Sequence, residues 1–222
     1  MDTLLQKLKP VSLPRLIKKG ANVLFQGEIP RKAFIIREGV VRAYTITSTG
    51  EERIVAFYSK GDILPLSWLL GDTTNSLFYY DAVSDVRLLT VSKDDFHKIV
   101  MQDTELLAGL MRFLSNQYTA LLLRVTGLEQ SRAIEKIGFT LYYLLFRYSV
   151  EKNPGIYAVN IKLSQIMIAN LVGLTRESTT KNLKVLKDKG IIEYDHSTYT
   201  INKVKLENFL GEDSFRDMSL TQ

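Results

Sequence analysis

From residue 20 to residue 100, short apolar runs alternate with turn residues at a nearly regular spacing. NVLFQGE, KAFIIREG, VVRAYTIT, ERIVAFYS and VRLLTVS are rich in β-branched and aromatic side chains. Gly27, Gly39, Ser48-Thr49-Gly50 and Gly61-Asp62 punctuate them. Such runs predict short strands, and their even spacing predicts a small antiparallel barrel or sandwich. The pattern changes at Asp103-Thr104, where either residue can cap a helix. Beyond it Leu107, Met111, Leu114, Tyr118, Leu121, Val125 and Leu128 recur at alternating spacings of four and three. That is a heptad seam, which keeps one stripe of a helix turned toward a partner helix. Leu106, Leu110 and Phe113 make a second stripe, suited to covering the strands. Gly127 with Glu129-Gln130-Ser131 predicts a hinge. Ala133, Ile134, Ile137, Leu141, Leu144 and Leu145 then form another amphipathic helix, which Lys152-Asn153-Pro154-Gly155 ends in a turn.

The last third changes period again. After a strand-like IYAVNIKL, Ser164 is placed to cap a short helix that turns Ile168, Ala169, Leu171 and Val172 inward. Gly173 supplies the left-handed residue of a sharp turn. Thr175 caps a second helix with Leu183 and Leu186 on its inner side and Gly190 past its end. IIEYDHSTYTIN reads as two strands around Asp195-His196-Ser197. Helix, turn, helix and hairpin make a winged helix-turn-helix, in which the start of the second helix enters the DNA major groove.

Composition narrows the chemistry. With 222 residues, 45% hydrophobic and 24% charged, the chain suits one large or two modest folded domains. The absence of cysteine excludes disulfides, zinc–thiolate sites, iron–sulfur clusters and thiol nucleophiles. MDTLLQKLKP lacks the apolar core of a signal peptide, and no run approaches the roughly eighteen apolar residues of a membrane span. A soluble cytoplasmic protein without a membrane partner is expected. Net charge is +5, and between Asn160 and Lys205 eight Lys/Arg stand against four Asp/Glu, so this segment carries most of the surplus. A polyanion is the partner that such a segment suits.

Charge and pattern meet on the second helix of the motif. Arg176, Glu177, Thr180, Lys181 and Lys184 lie opposite Leu183 and Leu186. Arg can fork onto guanine, Glu can accept from cytosine, and short hydroxyls such as Thr175, Ser178 and Thr180 bond phosphate without holding the helix away. Lys162 and Lys184 are phosphate candidates, and Gln165 and Ser197 complete the expected DNA contacts. The competing reading is a ligand-binding or scaffolding dimer whose winged helix docks protein. The Arg-Glu-Ser-Thr-Thr-Lys face favours double-stranded DNA.

LSQIMIANLVGLTRESTTKNLKVLKDKGII resembles the DNA-binding motif of the Crp/Fnr family of bacterial transcription regulators, and VLFQGE, FIIREGVVRAY and GDIL resemble the sensor domain of that family. The resemblance implies an α+β fold in three parts: an N-terminal antiparallel β-roll of double-stranded β-helix type (1–103), a long dimerisation helix (104–128) and a C-terminal winged helix-turn-helix (129–222). It further implies a homodimer on a pseudo-palindromic site and RNA polymerase as a partner. Arg176 and Glu177 stand where the family has its base-reading pair. Lys181 falls where catabolite activators carry a second base-reading Arg, so a point charge replaces a planar fork. Ile166 and Met167 replace residues that are commonly polar.

The sensor departs further. Members that bind cyclic AMP carry a Gly-Glu pair for the ribose and an Arg-Ser pair for the phosphate; here Pro65-Leu66 and Ser76-Leu77 stand at those positions. Losing the cation forfeits a charge-assisted hydrogen bond of about 1.5–3 kcal/mol. Any small-molecule effector is therefore not cyclic AMP held in the usual mode. Leu66, Trp68, Leu69, Leu70, Leu77, Phe78, Tyr79 and Tyr80 make this segment apolar. Two readings stay open: side chains collapsed into the core, or a pocket for an apolar or aromatic effector with Trp68 and Leu77 as lining and Ser67, Ser76 and Thr119 as polar anchors. The only histidines are His97, expected on the surface, and His196 in the wing, which argues against haem or another bound metal. Without a histidine before residue 97, a cysteine, a P-loop or a GxSxG motif, no catalytic constellation is legible.

Overall fold

The computed structural model describes residues 2–211, which divide into two compact units on either side of Leu114/Ser115. The first opens with helix α1 (Asp2–Leu8) and a short 3-10 turn (Lys9–Val11). Eight strands follow: β1 (Leu13–Ile17), β2 (Asn22–Leu24), β3 (Ala33–Glu38), β4 (Val41–Ile46), β5 (Glu52–Tyr58), β6 (Ile63–Leu64), β7 (Tyr79–Ala82) and β8 (Val86–Val91). They form two four-stranded antiparallel sheets, ordered β1-β8-β3-β6 and β2-β7-β4-β5. Helix α2 (Leu66–Leu70) interrupts the strands, and α3 (Lys93–Met101) follows them.

The apolar run of β3 is explained by burial on both of its faces. Phe34 and Ile36 enter the interior between the sheets with Val41, Ala43, Leu64, Tyr80 and Leu88. Ala33 and Ile35 turn the other way, onto a cluster with Leu4, Leu8, Leu69, Phe96, Leu106 and Leu110. β8 divides in the same way, Val86 and Leu88 inward and Leu89 and Val91 toward the helices, as a two-residue side-chain period requires. Leu106 and Leu110 of the second stripe thus cover the β-roll.

Several elements differ from the sequence expectation. The helical region begins at residue 93: Ser92 caps α3 by accepting from the Asp95 N–H at 3.1 Å, and Phe96 and Val100 are its buried face. His97, expected on the surface, is half-buried there, with Nε2 2.7 Å from the Leu69 carbonyl. β1 and β7 pair into the sheets through main-chain bonds that their mixed sequences do not advertise.

Helix α4 (Thr104–Glu129) runs unbroken for 26 residues. Asp103 caps it, its Oδ1 accepting from the N–H groups of Glu105 and Leu106, both at 3.0 Å. Gly127, expected at a hinge, lies inside the helix. A Cβ there would stand 2.9 Å from Phe139 Cβ, so this glycine permits close helix packing, and the chain breaks at residues 130–132 instead.

The second unit continues with α5 (Ala133–Tyr148), β9 (Ser149–Asn153) and β10 (Ile156–Val159). The turn at Pro154-Gly155 therefore closes a hairpin, Gly155 at φ 74°, and does not end the helix, which stops at Tyr148. After α6 (Gln165–Val172) and α7 (Arg176–Asp188) come β11 (Ile192–Asp195), β12 (Thr198–Asn202) and α8 (Lys203–Leu210). The small sheet has the order β11-β12-β10-β9, and α5 is its central packing helix, with Ile137, Leu141, Tyr142 and Leu145 fully buried.

Candidate nucleic-acid interface

The geometry of α6 and α7 follows from local chemistry. Ser164 Oγ accepts from the Met167 N–H at 3.2 Å and starts α6. Gly173 at φ 71° ends it, with Leu174 N–H donating back to the Ala169 carbonyl at 3.1 Å. This reversal is available to glycine at little cost because no Cβ opposes positive φ. Thr175 Oγ1 then accepts from the Ser178 N–H at 3.2 Å and starts α7. Thr179, Leu183 and Leu186 are fully buried beneath the helix.

On the opposite side Arg176, Glu177, Lys181 and Lys184 are exposed. None has a hydrogen-bond or ion-pair partner among the described residues, so all four are available to a ligand. Thr180 is half-buried, and its hydroxyl donates to Gln165 Oε1 at 2.6 Å, tying the first turn of α6 to α7. With its oxygen engaged, Gln165 offers chiefly its NH2 as a donor. The cap bond uses a lone pair of Thr175 Oγ1 and the main-chain N–H of Ser178, which leaves the hydroxyl protons of both as donors. Lys162 is exposed just ahead of α6, and the Ser197 carbonyl accepts from Leu163 N–H at 2.9 Å, which fastens the wing to the same edge. At the wing tip His196 takes φ 51°, its Nδ1 2.5 Å from Asp195 Oδ1. The predicted contacts on α6, α7 and the wing are thus carried by one unit, beside a helix N-terminus whose free N–H groups and dipole favour phosphate.

Four of the five effector candidates lie in the first unit. Ser76 is buried and already satisfied: Oγ donates to the Phe78 carbonyl at 2.8 Å, while its N–H and C=O pair with Glu28 and Gly27. Leu77 is exposed. Trp68 packs on the helix-covered cluster under the Lys93 ammonium, 5.6 Å from its ring centre, with Ser67 half-buried beside it. Thr119 belongs to the second unit. A cavity of about 70 Å³ between α1 and the start of α4 is lined by Leu4, Leu106, Gly109 and Arg112 and includes none of the five. Inside the β-roll, Tyr58 and Tyr80 stand ring to ring at 5.8 Å among apolar neighbours, and burial pushes the Tyr80 hydroxyl up to about 12.

Sequence reasoning missed Arg42. It forks onto Asp81 at 2.7 and 2.8 Å, reaches Glu52 at 2.7 Å and lies 4.6 Å from the Tyr44 ring centre, joining β7, β4 and β5. The Asp81 carboxylate raises its pKa above the ordinary arginine value. No local signal marks it, because its partners are cross-strand. Among the described residues no three His, Cys, Asp or Glu gather as a metal site, and no helix is long and apolar enough to cross a membrane.

Residues 14–103 match the model of the cyclic nucleotide-binding domain, and residues 135–208 match that of the Crp-like helix-turn-helix domain. The chain is 25% identical over 206 residues to Regulatory protein HlyX of Actinobacillus pleuropneumoniae, covering 92% of this chain and 81% of that one. Among solved structures, FixK2 from Bradyrhizobium japonicum is similar with a TM-score of 0.73 at 21% identity, covering 89% of this chain and 96% of FixK2. A cyclic nucleotide-binding domain containing protein from Listeria monocytogenes EGD-e gives 0.78 at 16% identity, covering 91% and 97%.

Proposed function

The chain belongs to the Crp/Fnr family of DNA-binding transcription regulators, which are not enzymes, and on that footing we propose how it reads DNA. Two copies pair along the α4 seam and present two α7 helices to successive major grooves, about 34 Å apart, on a pseudo-palindrome. Arg176 and Glu177 read base edges, Lys181 adds a point charge, Lys162, Lys184, Gln165, Thr175, Ser178 and Ser197 hold the phosphate backbone, and Thr180 orients Gln165. One observation carries this reading: Arg176, Glu177, Lys181 and Lys184 share the outer face of a capped helix and are engaged by no other described residue.

The dimer is supported by what α4 leaves uncovered. Met111, Tyr118 and Leu121 are 61%, 62% and 55% exposed, and Val125 and Leu128 continue the stripe. Leu107 and Leu114 of the same heptad series are instead half-buried against the helix-covered cluster of the β-roll. Apolar side chains left in water along the rest of the series gain free energy by pairing.

The effector, where one acts, is not cyclic AMP in the usual mode. Pro65-Leu66 and Ser76-Leu77 replace its anchors, Ser76 is satisfied within the chain, and the β-roll interior is aromatic. Iron–sulfur or haem sensing has no cysteine to use and no histidine but His97, bonded to a carbonyl, and His196 in the wing. RNA polymerase is the partner through which a bound dimer acts on transcription, and the cytoplasm is where it meets both.

The test is a selection. Purified protein at about 0.15 M salt, where nonspecific phosphate binding is weak, is offered a random duplex pool without added ligand, and the bound DNA is sequenced. Enrichment of a two-fold motif is the expected result. Binding without any sequence preference at that salt would refute base reading by α7.

A further inference from the structure

Arg124 lies on α4 between Leu123, which is buried, and Val125 of the exposed stripe. Its Nη2 donates to the carbonyl of Leu171 at 3.0 Å, and its guanidinium carbon stands 5.9 Å from the ring centre of Tyr143 on α5. Tyr143 in turn meets the Tyr148 hydroxyl at 3.1 Å. Leu171 is the penultimate residue of α6, in the last turn, whose carbonyls find no partner further along the helix. The N–H groups of Gly173 and Leu174 both go to Ala169. A cation at that end also meets the negative end of the helix dipole.

The location matters more than the bond. Leu171 stands two residues before Gly173, the reversal from which α7 departs under its Thr175 cap. Leu121 and Val125, next to Arg124 on the same turns of α4, belong to the stripe assigned to dimer pairing. One short stretch of α4 therefore faces a second subunit with one edge and grips the end of the first helix of the helix-turn-helix with the other. Arg suits this position because its long stem reaches past the helix surface while its planar fork both donates and stacks on an aromatic ring.

We propose that Arg124 is a positioning residue that locks α6 to α4 and so fixes the angle, and hence the distance, at which the two recognition helices meet DNA. The inference rests on the dimeric DNA-binding reading above. It predicts a property that stability alone does not control, namely how strictly the protein selects the spacing between two half-sites.

The experiment compares wild type with Arg124→Met, Arg124→Gln and Arg124→Lys in the random-duplex selection, scoring the distribution of half-site spacings. Circular dichroism melting and sedimentation accompany each variant. Met keeps the apolar stem without a donor, Gln is too short to reach Leu171, and Lys is long enough to donate. Wild type should enrich a single spacing. Met and Gln should enrich a spread of one or two base pairs around it and bind the wild-type site about tenfold more weakly, while remaining folded dimers; Lys should restore the single spacing. Folded Met and Gln variants with the wild-type spacing and affinity would overturn the proposal. So would loss of folding in both, which would make Arg124 a stability residue. A wild type that enriches no two-fold motif would instead refute the dimeric reading itself, a distinct result.

Discussion

Removal of one side chain from the α4 stripe tests the dimer most directly. Leu121 is 55% exposed in the single chain, so the area that a partner can cover is about half of a leucine. Leu121→Ala deletes three carbon groups, each contributing about 0.8 kcal/mol when fully buried. Scaled to the exposed fraction this comes to about 1.3 kcal/mol per copy, and the two-fold symmetry doubles it to about 2.6 kcal/mol per dimer. The dimer dissociation constant should therefore rise by roughly 50- to 100-fold. Sedimentation equilibrium over a range of protein concentrations measures it. Because Leu121 faces solvent within the subunit, the substitution opens no internal cavity, and helix content by circular dichroism should be unchanged. Specific DNA binding should become steeper in protein concentration, since assembly then precedes it. A dissociation constant within about threefold of wild type would refute the reasoning, because an interface residue of this exposure cannot be removed at so small a cost.

Arg176→Ala should cost about 1–3 kcal/mol on the selected site and relax the preferred base, with little change on shuffled DNA; equal losses on both would remove Arg176 from base reading. Lys162→Ala and Lys184→Ala should each flatten the dependence of log affinity on log salt by about one per lost phosphate contact, leaving sequence preference intact, as a titration from low to moderate salt would show. Two glycines in α4 should respond with opposite signs in chemical denaturation. Gly109→Ala meets nothing nearer than Arg112 Nη2 at 3.9 Å and should stabilise by up to about 1 kcal/mol. Gly127→Ala would press a Cβ to 2.9 Å from Phe139 Cβ and should destabilise by about 1–3 kcal/mol. A stabilising Gly127→Ala would show that its role is not helix packing.

What the sequence discloses about the recognition motif is local chemistry. Ser164 and Thr175 accept from N–H groups three positions on, Gly173 donates to a carbonyl four positions back, and all three behave as their types and spacing predict. Periodicity is equally local, which is why five of the strand runs and the stripe of Leu106 and Leu110 on α4 are legible without coordinates, whereas the inward packing of Leu107 and Leu114 is not. α3 was legible in principle as well: Ser92 and Asp95 form a capping pair ahead of Phe96 and Val100. That signal is masked because apolar residues of a short helix next to a strand resemble a continuation of the strand pattern.

Only the tertiary structure decides the remainder. Gly127 has the sequence character of a hinge, and the close approach of Phe139 makes it a packing residue inside a continuous helix. Ser76 has the sequence character of a polar pocket anchor, and its hydroxyl is spent on the carbonyl of Phe78. Arg42 finds Asp81 across 39 positions, and Arg124 finds Leu171 across 47. Caps and periods depend on neighbours along the chain, which the covalent geometry holds close in any conformation. A guanidinium's partner, and the space around a glycine, depend on segments that meet only once the core has closed.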